Sequence, residues 1–509
     1  MAERIDAHDE LERAHPEYIE HVEEWSTIED LCQGSRCVKE RGTEYLPKLS
    51  GQSDNEYRAF RARATFFNAT GRTREALAGM ILRKKPAIEP GGIPETALAD
   101  VTLTGEDVFD YARKVAESGV SKGRAGTFVD WNDEEKAPYL SFYQGEDVLN
   151  WASSRIDGRE VLTMLVLREI EDYAEEFEVS RRKRIRRYWL TTANLEDSDE
   201  ENDEIGSRLY CETWIEDTDE GGKTTFVKDV DAYEIKRRGI TLDRIPFVFH
   251  NATHLGSRVG KAPLFDIAEL NVSHYRTSAD LENGRHFCGL PTPYATGVDE
   301  NVKEFKIGSE SAWLIENESA KVGFLEFQGT GLGELTKALE EKEAQMSKLG
   351  ARLLFDTKKD AEAFETHALR ANSEGSALGH IASTASVTMT EVLQWLEWWG
   401  SSIVSPRDSN ASFTFSTDFV GSTIQPQLLD SLLKAYVSGS MSFEAFFFNL
   451  QKGELFPDDW DLERELAAIN AAQNLPGPSR TDPMKQPGSD PDDDDDDEEE
   501  EEDDPEGDS

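Results

Sequence analysis

Between residues 263 and 353 the chain reads as a long helix, a compact β-rich insert and a second long helix. The first segment, Pro263-Leu-Phe-Asp-Ile-Ala-Glu-Leu-Asn-Val-Ser-His-Tyr-Arg-Thr-Ser-Ala-Asp-Leu-Glu, has a proline suited to a first helical turn and no internal breaker. The second places Leu332, Leu335, Leu339, Met346, Leu349 and Leu353 in a 3–4 heptad, with Lys342 in the one skipped core position. Gly289 to Gly331, between them, holds the short alternating runs and turn glycines of small strands. Two helices carry such an insert on a stalk only if something packs beside them. In a ring, that neighbour is another copy of the same chain.

The 509 residues suffice for two to four domains and a substantial core, and 38% apolar with 31% charged residues suits a soluble protein with much polar surface. No run of about eighteen apolar residues predicts a membrane span, and the N-terminus lacks the basic and then apolar start of a signal peptide. Cys32, Cys37, Cys211 and Cys288 are scattered and match no common zinc knuckle, which predicts reduced thiols made in a cytoplasm. The formal charge is −47; Asp490 to Ser509 contributes sixteen acidic residues and no basic ones, leaving −31 on the body. Gripping nucleic acid needs clustered Lys and Arg, so this balance argues against a tight binder and leaves room for a protein past which DNA slides.

Along the chain the expected class is α+β. The first 85 residues read as mostly helical, with an acidic amphipathic stretch over 8 to 31 and a helix from Glu56 whose Tyr57, Phe60, Ala64 and Phe67 share one face. A helix over 105 to 118 precedes strands at Thr127–Trp131, Tyr139–Tyr143, Val161–Leu167, Ile185–Leu190, Leu209–Trp214 and Thr224–Val227, an antiparallel arrangement broken by acidic loops. A third long helix runs from about Glu365 to Gly400, Phe413 to Phe419 returns as a strand, and 426 to 472 is helical. From Pro476 onwards the composition is that of a disordered segment.

No constellation supports catalysis. Gly119 to Thr127 has glycines, a lysine and a threonine, but the spacing is not that of a phosphate loop and it joins a helix to a strand, so an ordinary turn is the better account. His250 and His254 have an H-x-x-x-H spacing, yet the stretch reads as loop and no glutamate follows the first histidine, so no metal site is assigned. The basic run Arg181-Arg-Lys-Arg-Ile-Arg-Arg follows acidic Glu169 to Glu178, which predicts charge pairing on a sheet face or against an acidic surface of an adjacent subunit. The acidic tail reads as a solvated, self-repelling segment more than a chelator or DNA mimic. No Ser–His–Asp or Cys–His set has a recognisable context, and no cofactor is expected.

The chain resembles the portal proteins of tailed double-stranded DNA bacteriophages, in particular a large portal-like family formerly described as a domain of unknown function. Several stretches carry the resemblance: Tyr45-Leu-Pro-Lys-Leu with Tyr57 to Thr73; Pro263 to Tyr275 with Ser278-Ala-Asp-Leu-Glu and Pro291-Thr-Pro; Glu343 to Leu354, then Phe364-Glu-Thr-His-Ala and Ser373-Glu-Gly-Ser-Ala-Leu; and Gly439 to Phe446 with Leu450 to Asp459. His367 departs from the pattern, which usually has a small residue there, and the terminal acidic run is peculiar to this chain.

The resemblance implies a portal-type multidomain subunit. Its parts would be a wing (1–262 and 367–423), a two-helix stem (263–287 and 332–353), a small β-rich clip (288–331), a tunnel loop (354–366), a helical crown (424–475) and an acidic tail (476–509). It implies a homo-oligomer, usually a dodecamer, at one vertex of the virion capsid, through which DNA passes in packaging and ejection. The implied partners are the terminase large subunit, head–tail adaptor proteins and the major capsid protein, with no membrane. Lys358 and Lys359 would touch DNA transiently, and the heptad residues would pack the stem. A net-negative body repels DNA across a Debye length of about 8 Å, as a conduit requires. The competing readings are another head–tail connector or adaptor, an acidic DNA-mimic binder, and a packaging ATPase or nuclease, the last disfavoured by the missing phosphate loop.

Overall fold

The computed structural model describes residues 4–6, 11–156, 158–175, 177–192, 207–218, 224–289, 292–297, 319–325, 329, 331–354, 376–419, 426–452 and 463–467. The chain divides into one unit ending at Val420 and a second from Gly421.

A short strand, β1 (Arg4–Asp6), precedes the N-terminal helices α1 (Pro16–Gln33), α2 (Ser35–Glu40), α3 (Asp54–Arg63) and α4 (Ala69–Ile81). The first begins later than the acidic pattern predicts, because Pro16 fits a first turn and His15 accepts from the Glu17 N–H as its cap. Ser53 and Glu56 form a capping box at the start of α3, which buries Tyr57 and Phe60. The helix expected to reach Phe67 stops at Arg63. Asn68 opens a new helix there, its side chain accepting from Gly71 N at 2.9 Å, and Phe67 falls in the break with its ring partly exposed. Gly71 is required at this joint, since a Cβ would lie 3.0 Å from the Cys32 carbonyl oxygen.

Next come β2 (Ala87–Glu89), α5 (Glu95–Ala99) and α6 (Val108–Ser121). Of the stretch expected as a turn, Gly119 to Ser121 completes α6 and Arg124 onwards is β3 (Arg124–Asn132), so the turn is only Lys122 and Gly123, the latter at a positive φ of 67°. Further along are β4 (Ala137–Gln144), β5 (Val148–Ile156), β6 (Arg159–Glu175), β7 (Glu178–Thr192), β8 (Ser207–Thr218), β9 (Thr224–Glu234), the two-residue strands β10 (Lys236–Arg237) and β11 (Ile240–Thr241), and β12 (Phe247–Asn251). Two antiparallel sheets result, β1-β9-β8-β7-β6-β5 and β12-β3-β4. The predicted strands are present and longer than predicted, while β5 and β12 had no alternating pattern to reveal them; every residue of β12 is buried.

The basic run lies on β7 opposite the acidic end of β6. Arg181 pairs with Asp172 at 2.7 Å, Arg182 and Arg184 with Glu171 at 2.8 and 2.7 Å, and Arg186 with Glu169 at 3.2 Å. Arg187 reaches Glu212 on β8. Of the two readings of this run, pairing within the sheet is the one found.

The long helix α7 (Phe265–Gly289) leads to the antiparallel pair β13 (Thr292–Thr296) and β14 (Lys321–Leu325), and α8 (Leu332–Leu354) returns. α9 (Ala377–Gly400) begins within the predicted third helix, whose first part lies outside the described residues. It packs on β12-β3-β4, with Trp399 donating to the Val129 carbonyl at 3.0 Å. The predicted return strand is β15 (Ser412–Thr414), paired with β2. In the second unit, α10 (Pro426–Val437) and α11 (Phe443–Lys452) pack through Tyr436 stacked on Phe446.

Candidate functional site

At about 1.5 Å per residue α7 and α8 span roughly 37 and 34 Å, and they pack against each other along much of that length. The root of α7 is held on several sides. Ile267, Ala268, Val272, Tyr275 and Ala279 are buried. Asn271, with no exposed surface, accepts from the N–H and hydroxyl of Thr70 at 3.1 and 2.9 Å and donates to the Phe67 carbonyl at 2.8 Å. Arg276 donates to the Tyr45 carbonyl at 2.8 Å, and Arg63 donates to Asn283 Oδ1 at 3.1 Å. The N-terminal and central stretches that carry the family resemblance are thus far apart in sequence and adjacent in space.

The α8 heptad divides by depth. Met346 is buried, and Leu349 and Leu353 lie partly buried against the main core. Leu332, Leu335 and Leu339 are half-buried. Leu332 fills the space at Gly284 of α7, where a Cβ would lie 2.5 Å from its Cδ2. Lys342 bridges the helices, its ammonium donating to the Ser273 carbonyl at 3.1 Å and the Thr277 hydroxyl at 2.6 Å. Burial lowers the Lys342 pKa against the pull of Asp280, and burial raises that of Asp280 against the pull of Lys342. His274 Nε2 lies 3.2 Å from Glu343 Oε1. A leucine heptad is legible from sequence; these polar bridges between helices about seventy residues apart carry no local signal.

Beyond this root the apolar surface opens. Phe287 near the end of α7, and Tyr294, Val322 and Phe324 on the insert, are each about half exposed. Tyr294 lies over Gly323 on the facing strand, an aromatic ring occupying the place of the missing side chain. Lys358, Lys359 and His367 lie outside the described residues.

The remaining sequence candidates resolve into structure. His250 is on β12, not in a loop, and is buried between two hydroxyls: Nε2 lies 2.7 Å from Thr127 Oγ1 and Nδ1 2.8 Å from Thr388 Oγ1. Desolvation drives its pKa down to about 3. His254 meets the Arg258 carbonyl instead. No group of three metal-ligating side chains occurs among the described residues, and the four cysteines are unpaired. Sequence reading missed Arg124, fully buried and sandwiched between Trp151 and Phe249, with Nη1 donating to Asn251 Oδ1 at 2.9 Å. Burial lowers its pKa to about 9. No described helix is long and apolar enough to cross a membrane.

The fold is α+β, and residues 263–400, which hold the helix–insert–helix unit and α9, match the family described as Domain of unknown function (DUF4055). Among solved structures the chain is similar to one in the neck of an empty gene transfer agent particle computed with C6 symmetry, with 11% identity, TM-score 0.38, and 78% of this chain and 92% of that chain covered. It is also similar to a chain of the native gene transfer agent virion, with 10% identity, TM-score 0.36, and coverages of 80% and 95%. A third similar chain is in the neck of the native particle computed with C12 symmetry, with 10% identity, TM-score 0.37, and coverages of 82% and 98%. The search of curated proteins finds no significant match.

Proposed function

We propose that this chain is a portal-type connector subunit, which assembles into a ring at one capsid vertex and forms the conduit for double-stranded DNA. The observation that carries this reading is the α7–α8 unit. Its root is locked into the main core by Asn271 and Met346, while its far end and insert expose Phe287, Tyr294, Val322 and Phe324. An apolar stalk rooted in a rigid body and bare at its far end is completed by neighbours presenting the same stalk. Electrostatics supports the conduit role. The body remains strongly negative without its tail, and the densest basic run is spent on β6–β7 ion pairs, so little of it is left to hold phosphates.

In this reading the insert docks the terminase motor and afterwards head–tail adaptors, the shell surrounds the wing and stem, and the protein supplies positioning without catalysis. Lys358 and Lys359 would touch DNA transiently as it passes. The test is the mass of the purified full-length chain by light scattering or native mass spectrometry. A twelve-membered ring of 57.2 kDa chains has a mass of roughly 690 kDa. A monomer or dimer under all conditions overturns the reading, and ATP hydrolysis by the pure protein would favour a motor instead.

A further inference from the structure

The β6–β7 ribbon outruns its neighbours. β5 pairs with β6 only as far as Leu167, and β8 pairs with β7 only from Arg184 onwards. The rungs from Ile170–Lys183 to Glu175–Glu178 therefore stand as two strands alone, an extension of roughly 20 Å. An isolated ribbon is marginal in water, and its ion-pair ladder adds little at the surface. Yet this one ends in apolar residues: Ile170 and Val179 are largely exposed and Phe177 is fully so.

A cleft of about 1310 Å³ lies at the other end of the same strand, with Arg159 and Leu162 of β6 on its wall. Phe247, Phe249, Trp395 and Phe413 give it an aromatic lining, and Val387 of α9 presents an exposed apolar side chain there. Its acids are occupied or withdrawn. Glu160 accepts from Ser257 at 3.1 Å, Asp243 pairs with Arg244 at 3.0 Å, and burial favours the neutral form of Glu391. Arg159 and Arg407 meet no carboxylate among the described residues, which leaves spare positive charge beside an apolar lining.

We propose that the ribbon tip of one copy docks in this cleft of the next, with Phe177 and Val179 on the aromatic lining and Glu178 turned towards Arg159 and Arg407. The proposal rests on the ring reading above and gives it a mechanism. Tip and cleft lie at opposite ends of one seventeen-residue strand, about 50 Å apart, so the contact joins two different patches. Such a head-to-tail contact repeats around a ring when the rotation closes.

The experiment places the photo-reactive residue benzoyl-phenylalanine at position 177 of the full chain. Heavy- and light-isotope copies are co-assembled, irradiated and mapped by mass spectrometry. The expected cross-links join different copies and fall within 153–162, 243–257 or 386–414. The combined Arg159→Glu and Arg407→Glu variant is expected to lose most of the cross-linked product, with its melting temperature unchanged. A high-mass assembly whose cross-links are intrachain, map elsewhere or do not form overturns the docking and leaves the ring standing. A chain that remains monomeric overturns both.

Discussion

Asn271 shows how much of the candidate site depends on one polar side chain. It satisfies two donors of Thr70 and the carbonyl of Phe67, all at the joint between α3 and α4. Asn271→Ala leaves the buried Thr70 N–H without an acceptor, and the expected loss is about 2–4 kcal/mol, read from urea unfolding of the full chain. His250 makes a different prediction, through pH. Its folded pKa of about 3 lies below the ordinary histidine value, so between about pH 6.5 and 3 the unfolded chain binds the extra proton. Its contribution is therefore steady above pH 6.5 and becomes destabilising as pH falls, by about 2 kcal/mol between pH 6.5 and 5. His250→Gln should remove that part of the slope in denaturation series at the two pH values; an identical slope would refute it. Neither residue was legible in the sequence. The partners of His250 are 123 and 138 positions away, so its spacing to His254 was the visible feature and the irrelevant one.

Elements were more legible wherever a periodic pattern met a local signal. The α8 heptad, the Ser53 capping box and the alternation of β6 to β8 are carried by near neighbours in sequence. β12 is set instead by burial on both faces, which erases alternation, and the break at Asn68 comes from a cap competing with a continuous apolar stripe. The charge ladder was visible as composition, but only the β6–β7 register assigns its partners. Glu171→Gln should cost no more than about 1 kcal/mol, because the pairs are solvated, and that cost should shrink in high salt. Thermal melts at two ionic strengths measure it, and an effect of several kcal/mol would mean the ribbon is more deeply buried than this. Along α8 two kinds of heptad position differ. Met346→Asp places a charge in the core and should cost about 3 kcal/mol or more, visible as a lower melting temperature. Leu339→Asp sits at a half-buried position and, in the proposed ring, should leave the melt nearly unchanged while abolishing assembly; a normal assembly mass for this variant would remove α8 from the proposed interface.

At the scale of the whole molecule the governing quantity is charge. A ring must bring together copies that each carry −47, so assembly has to overcome repulsion that the folded chain alone never meets. In the proposed ring the apolar surface on the α7–α8 unit and the ribbon would supply attraction that salt does not weaken, whereas the repulsion is screened over about 8 Å at physiological ionic strength and over about 30 Å at 0.01 M. Assembly should therefore strengthen as salt is added, because relief of the whole-chain repulsion outweighs the weakening of the few ion pairs proposed between Glu178 and Arg159 and Arg407. The tail sharpens the prediction. Residues 490–509 carry sixteen acidic residues and no basic one, so they contribute repulsion and no apolar burial of consequence. Deleting them should leave the number of subunits in the assembly unchanged and shift the onset of assembly to lower salt. Light scattering across a salt series on both chains reads this directly. Loss of the assembly on deletion would mean that the tail makes a specific contact, and an onset that moves to higher salt would mean that its carboxylates pair with the cations of a neighbouring copy.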